Sequence, residues 1–303
     1  MSTKVAPPHE TALSGDYTKV ARPRRLSIYR AQYIAGRLLG YLILIMLTVL
    51  SSFPLVWMIL TSLRDRREVF SGILLPKELT LAAYKFILTE FRILDFLWNS
   101  ILVTFFTVLA VVILATLAGY AFAHLDFWGK EIIFLILLGT LMVPGPVLII
   151  PLFLQLRDFG LIDSRLGLIL AYIGGGLAFS VFLMRSYFKT LPTELIDAGR
   201  VDGASEFGIF WRIMLPLARP GIATVLIFQF MGTWNEFIFA ATVLHTPALR
   251  TLQPAVFALV GRYSTNWPAL AAGLTISILP IVITYVLMQR QFVAGLTAGA
   301  IKG

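Results

Sequence analysis

Six long apolar runs set the pattern of this chain, at residues 38–62, 96–122, 132–154, 166–185, 221–244 and 268–289. Each is close to the roughly 20 residues that a helix needs to cross a hydrocarbon core. A run of that kind in lipid can satisfy its backbone polar groups only along itself, so each predicts a helix. The expectation is an all-α integral membrane protein with six transmembrane helices. Residues 1–36 are polar, carry the breakers Pro7, Pro8, Gly15 and Pro23, and are expected to form a disordered basic tail. Residues 37–290 form the expected membrane domain, and 291–303 a second tail. The first apolar run begins too far along for a cleavable leader.

The segments between the runs differ in kind. Residues 63–95 mix charges of both signs with Pro76 and predict short helices outside the bilayer. Ala123 to Lys130 predicts a tight turn. Pro144, Pro146 and Pro151 interrupt the third run, where proline frees backbone carbonyls and bends the axis. A kink, or a hinge or pore wall, both fit that pattern. Gly174-Gly175-Gly176 in the fourth run predicts close helix packing.

The longest polar interruption of the second half, within 186–220, reads as helix, glycine break, helix. Pro192 and Thr193 suit a helix start, and Glu194 and Asp197 place negative charge at its positive end. Gly203 sits where a left-handed residue would stop that helix. Ser205 can cap a second helix, closed by Pro216 and Pro220. Phe207, Phe210, Trp211 and Met214 recur along it at helical spacing. Such an apolar stripe fits either an interfacial helix lying on lipid or a docking element for a soluble partner.

Composition narrows the class. Hydrophobic residues make up 58% and charged residues 14%, against about 25% charged in soluble domains. The absence of cysteine excludes disulfides and thiolate metal sites, and His9, His124 and His245 are too dispersed to suggest a metal cluster. The net charge of +9 fits basic segments facing anionic lipid, not nucleic acid. Lysine and arginine number 15 in the tails and even loops and 10 in the odd loops. The positive-inside bias therefore places both termini and the 186–220 loop in the cytoplasm.

That loop resembles the EAA loop in the membrane subunits of bacterial ATP-binding-cassette importers. The family pattern is Glu-Ala-Ala, three residues, Gly, nine residues, Ile, one residue, Leu-Pro. Asp197-Ala198-Gly199, Gly203, Ile213, Leu215 and Pro216 fall on it with every spacing kept. Trp234-Asn235-Glu236-Phe237 and the closing residues 293–303 resemble the carbohydrate, maltose-type branch, and the likeness covers about 40–303. It implies the permease subunit of an importer for a sugar or sugar derivative, in the bacterial inner membrane. It implies a second related membrane subunit, two cytoplasmic ATPase subunits and an external solute-binding protein. ATP with magnesium would be used by the ATPase subunits, with no cofactor on this chain. Indeed no Gly-x-x-x-x-Gly-Lys-Ser/Thr sequence is present. Glu194, Asp197, Ala198, Gly199, Asp202, Gly203, Phe207, Phe210, Ile213, Leu215 and Pro216 are the expected coupling-loop residues.

Gln229, Trp234, Asn235 and Glu236 interrupt the fifth run with polarity and are candidates for the translocation pathway or for a hydrogen bond between subunits. Glu236 is the one charged residue well inside any run and needs a partner, a water-filled cavity or the headgroup zone. Two other importer classes compete: one for a non-sugar solute, and an ion-coupled carrier. The latter needs ionisable groups at mid-membrane, which five of the runs lack. A membrane enzyme would need grouped His, Asp or Glu, which the runs do not contain.

Overall fold

The computed structural model describes residues 25–73, 75–261 and 265–300, with side chains at 32–73, 75–261 and 265–289. The part of the expected N-terminal tail at 1–24, and 301–303, lie outside them. The chain divides into two compact units, 1–55 and 56–303. α1 (Arg25–Ser62) begins well before residue 37, so 25–36 is helical and not an irregular tail. No proline interrupts the sequence between Pro23 and Pro54, and nothing else there breaks a helix.

The second unit is built from helices, and among the described residues there is no strand. After the end of α1 come α2 (Ala82–Thr89), α3 (Ile93–His124), α4 (Lys130–Gly139), α5 (Ile149–Asp158) and α6 (Arg165–Phe188). Then follow α7 (Glu194–Val201), α8 (Glu206–Ile209), a π-helical turn (Phe210–Met214), α9 (Leu215–Leu217) and α10 (Arg219–Asn235). α11 (Ile238–Val243), α12 (Leu252–Phe257) and α13 (Trp267–Ala300) complete it. α13 crosses the expected boundary at 290 unbroken, so 291–300 prolongs the last helix.

Among the described residues, four helices are long and apolar enough to cross a membrane, and up to six spans result if each of two bent pairs counts as one. The third apolar run is a bent pair, not one helix: 130–142 and 145–158 meet at 94°. Pro144 and Pro146 cannot donate to the preceding turn, and the chain at Val143 and Pro144 is extended. The fifth run is also discontinuous, for α10 ends at Asn235 and Glu236 is extended before α11 starts. A second bend, of 72°, falls between Leu217 and Arg219.

α3 and α6 form the central seam. A Cβ at Gly119 would collide with Met184 Cβ and lie 2.9 Å from the backbone nitrogen of Arg185, so only glycine lets these helices approach so closely. Gly221 plays the same part against Tyr187, whose Cγ would lie 2.6 Å from an added Cβ. Of the three glycines expected to pack closely, Gly176 does so against Gln229, while Gly174 and Gly175 have nothing within 4 Å of an added Cβ. Gly175 leaves space rather than closing it, since it lies in the wall of the cavity described below.

Polar side chains fix the loops of one end. Asn99 Nδ2 donates to the carbonyls of Ala248 (2.8 Å) and Arg250 (2.9 Å), and Ser100 Oγ accepts from Leu252 N (2.7 Å). Asp163, in the turn before α6, accepts from the backbone of His245 and Thr246, both at 2.9 Å.

Candidate functional site: the helix–turn–helix loop and an interhelical cavity

The 186–220 loop folds as two short arms around a glycine. Asp202 ends α7, and Gly203 takes φ +78°, a conformation that β-branched side chains resist. Gly203 N–H donates to Arg200 O (3.0 Å) and Ala204 N–H to Gly199 O (2.9 Å). These two bonds satisfy the last carbonyls of α7 in the Schellman arrangement. Ser205 then caps α8, its Oγ accepting from Gly208 N at 3.2 Å. Thr193 precedes α7 without a side-chain cap bond. Pro216 does not stop the second arm. It lies in the first turn of α9, where its missing N–H is harmless, and the bend comes at Ala218.

One face of the arms is buried. Ile196, Ile209, Phe210 and Met214 belong to a cluster with Tyr120 of α3 and Phe188 of α6. Gly199 is buried where the arms cross, with Ile209 and Ile213 each 3.1 Å from the position of a Cβ. Leu215 is half-buried against the same cluster. The other face is open. Val201 and Phe207 are 87% and 71% exposed, and Phe207 stacks on Trp211 with centroids 6.1 Å apart. Glu194, Asp197, Ala198, Asp202 and Pro216 are exposed as well. Arg200 bridges the arms, its Nε donating to Glu206 Oε1 at 2.7 Å and its Nη1 lying 3.5 Å from Asp197. The stripe read along the second arm is thus split: Phe210 and Met214 face inward, while Phe207 and Trp211 face outward.

The two helix breaks meet at a cavity of about 420 Å³. Its wall takes Gly145, Pro146 and Ile149 from the first break, and Gly232, Thr233 and Glu236 from the second. Tyr172, Gly175 and Gly176 of α6 complete it with Gln229. Glu236 accepts from the backbone N–H groups of Phe239 (2.7 Å) and Ala240 (3.0 Å), the free donors of the first turn of α11. It also accepts from the Tyr172 hydroxyl. Gln229 Nε2 donates to Thr233 Oγ1 (3.1 Å), and its side chain lies over Gly176, where any Cβ would collide with it.

Of the four candidates in the fifth run, Gln229 and Glu236 line this cavity and Trp234 and Asn235 do not. Trp234 is buried, stacks on Phe230 and donates from its indole nitrogen to Ser277 O at 3.0 Å, joining α10 to α13. Asn235 Nδ2 returns to Met231 O (2.9 Å) at the end of α10. Tyr172 was not among the sequence candidates. A tyrosine in an apolar run carries no signal of its own until the break that brings Glu236 to it is known.

Residues 112–298 match the family of binding-protein-dependent transport system inner membrane components. The chain belongs to this family. The arabinooligosaccharides transport system permease protein AraQ of Bacillus subtilis is 36% identical over 90% of this chain and 98% of its own length. The diacetylchitobiose uptake system permease protein NgcG of Streptomyces coelicolor is 31% identical over 87% and 88%. The crystal structure of a bacterial ABC transporter that imports the acidic polysaccharide alginate contains a chain with TM-score 0.76 and 26% identity, covering 87% of this chain and 98% of that one. The chain is therefore an inner-membrane transport component, and its loop and cavity are to be understood as parts of a permease.

Proposed function

We propose that this chain is the permease subunit of an ABC importer for a sugar or sugar derivative, moved by ATP hydrolysis on separate subunits. The observation that carries the reading is the two-sided loop. Its inner face is packed into the α3–α6 body, and its outer face presents the Phe207–Trp211 pair amid the carboxylates of Glu194, Asp197 and Asp202. A rigid body fixed to the spans on one side and apolar on the other can carry a partner's movement into the helices. The oligosaccharide permeases among the relatives support a sugar cargo, and they include carriers of neutral oligosaccharides as well as an acidic polysaccharide.

In this reading the chain crosses the membrane six times: the bent pair 130–158 makes the third span, and α10 continued by α11 makes the fifth, with the 206–217 arm outside the bilayer. Both termini and the loop are cytoplasmic. A second related permease subunit, two ATPase subunits that use ATP and magnesium, and an external solute-binding protein complete the importer. An ion-coupled carrier is less well supported, because the one carboxylate inside the apolar runs is already engaged by Tyr172 and two backbone amides.

The test is extraction in mild detergent and analysis of what copurifies. A second multi-span subunit and an ATPase with a Walker motif are expected. A lone polypeptide that transports without them would overturn the proposal. Topology is checked by single cysteines at Ser205 and Lys77, since the chain has none of its own. An impermeant maleimide on intact cells should label Lys77→Cys and spare Ser205→Cys.

A further inference from the structure

We propose that the cavity between α6 and the α10–α11 break is a subsite for a neutral sugar ring, and that Glu236 makes it reject anionic sugars. This rests on the permease reading above and names the chemical class of its cargo.

Its size comes first. A cavity of about 420 Å³ falls within the span of about 300–1,000 Å³ typical of small-molecule sites. It is also not a packing accident. Two independent helix breaks open onto it, and three glycines of its wall, Gly145, Gly175 and Gly232, have nothing within 4 Å of an added Cβ.

Its polar groups are led by acceptors. Glu236 receives three hydrogen bonds, from Phe239, Ala240 and Tyr172, and donates none. A carboxylate offers about four acceptor positions, so one is left for a ligand hydroxyl. Gln229 uses one amide N–H on Thr233 Oγ1, so its amide oxygen offers an acceptor while its second N–H and the Thr233 hydroxyl can donate. Sugar hydroxyls, which both donate and accept, suit such a wall. Apolar surface from Pro146, Ile149 and Phe239 faces the same space and suits the C–H faces of a pyranose or furanose ring.

Charge sets the discrimination. Glu236 is the one charged residue in the cavity wall. A uronate or phosphate brought into it would meet a carboxylate with no cation beside it, and away from water that repulsion is weakly screened. A neutral ring meets no such barrier.

The test uses the whole importer, this chain with its copurifying subunits and binding protein, reconstituted in vesicles with ATP. The probes are arabinotriose, maltotriose and diacetylchitobiose as neutral sugars and trigalacturonate as the anionic one. At least one neutral probe should accumulate, with trigalacturonate slower by about tenfold or more. Gly175→Leu replaces a helix-weakening glycine and directs a side chain into empty space, so the subunits should still copurify. Its uptake should fall by about tenfold or more, the extent of a filled binding cavity. Glu236→Gln keeps the shape and an acceptor, and should narrow the neutral-to-anionic ratio.

Four results would overturn the proposal. Equal or faster uptake of trigalacturonate, or normal uptake by Gly175→Leu, would remove the subsite and leave a sugar importer standing. An unchanged ratio in Glu236→Gln, with all uptake reduced alike, would reduce Glu236 to a helix cap. ATP-coupled uptake of another solute class, with no oligosaccharide imported, would sink the sugar reading itself.

Discussion

The ring of Phe210 lies 5.0 Å from that of Tyr120, centroid to centroid, and so fastens the second arm of the loop to α3. Tyr120 in turn meets Phe188 at the end of α6 at 5.5 Å. Two consecutive buried aromatic contacts therefore link the loop to both helices of the central seam. Phe207, three residues earlier, has the opposite surroundings and stacks only along the open face.

The two phenylalanines should separate by mutation. Phe210→Ala removes a buried ring, and losses on the order of 3–5 kcal/mol are usual for that change. Its thermal midpoint in detergent should drop sharply. Phe207→Ala should alter stability by less than about 0.5 kcal/mol, as surface changes do, while weakening retention of the ATPase subunits on purification. Equal thermal midpoints for the two variants would contradict this division of the loop.

The glycines make a second pair. Gly119→Ala drives a methyl into Met184 and against the backbone of Arg185, so the α3–α6 seam must part. Gly174→Ala meets open space in a helix and should be neutral or stabilising by up to about 1 kcal/mol. The recovered monodisperse fraction after heating, read by size-exclusion chromatography, should fall for the first and hold for the second.

These glycines also show what the sequence could convey. Run lengths sufficed to locate both ends of α3 and α6 and the start of α13 within a few residues, because length and apolarity are local properties. The turn at Gly203 and the cap at Ser205 were legible for the same reason: each needs a particular residue type at a particular place. The glycine triplet in α6 marked close packing correctly only at Gly176, against Gln229, because close packing depends on which helix lies opposite, and that information is not in the triplet. Proline marked the first helix break but not how sharply it bends. The second break carried a fainter mark, the polar pair Asn235-Glu236 inside an apolar run, and the Tyr172 partner carried none. Phe207 with Trp211 and Phe210 with Met214 form two i,i+4 pairs on different faces of the arm, and which pair faces the body depends on what lies opposite, which the local sequence does not carry.

Acid should loosen the Asp163 clasp on the loop after α11. The hydroxyl of Thr246, and then its backbone N–H, hold the Asp163 carboxyl below its ordinary range. A depressed folded value means the contribution is present above the unfolded value, about 3.9, and disappears as pH falls through the folded one. Asp163→Asn keeps a side chain that tolerates the left-handed backbone at φ +56° but lacks the charge. Wild type should melt above Asp163→Asn at pH 7, and the gap should close as pH drops below the ordinary carboxylate range. A gap that persists at low pH would show that the charge is not what holds the loop.

The central claim is that the loop around Gly203 couples ATP hydrolysis to movement of the spans. Gly203 sits in open space at φ +78°, so a side chain there strains only the turn. Valine should cost about 1–3 kcal/mol in that conformation, and asparagine far less. The decisive measurement is solute uptake against ATP hydrolysed in reconstituted vesicles, for wild type, Gly203→Asn, Gly203→Val and Asp197→Lys. Gly203→Asn should retain most coupled uptake. Gly203→Val and Asp197→Lys should insert normally yet lose uptake, with ATPase subunits lost or hydrolysing without transport. Full, ATP-coupled uptake by both would contradict the account and make this loop ordinary cytoplasmic surface.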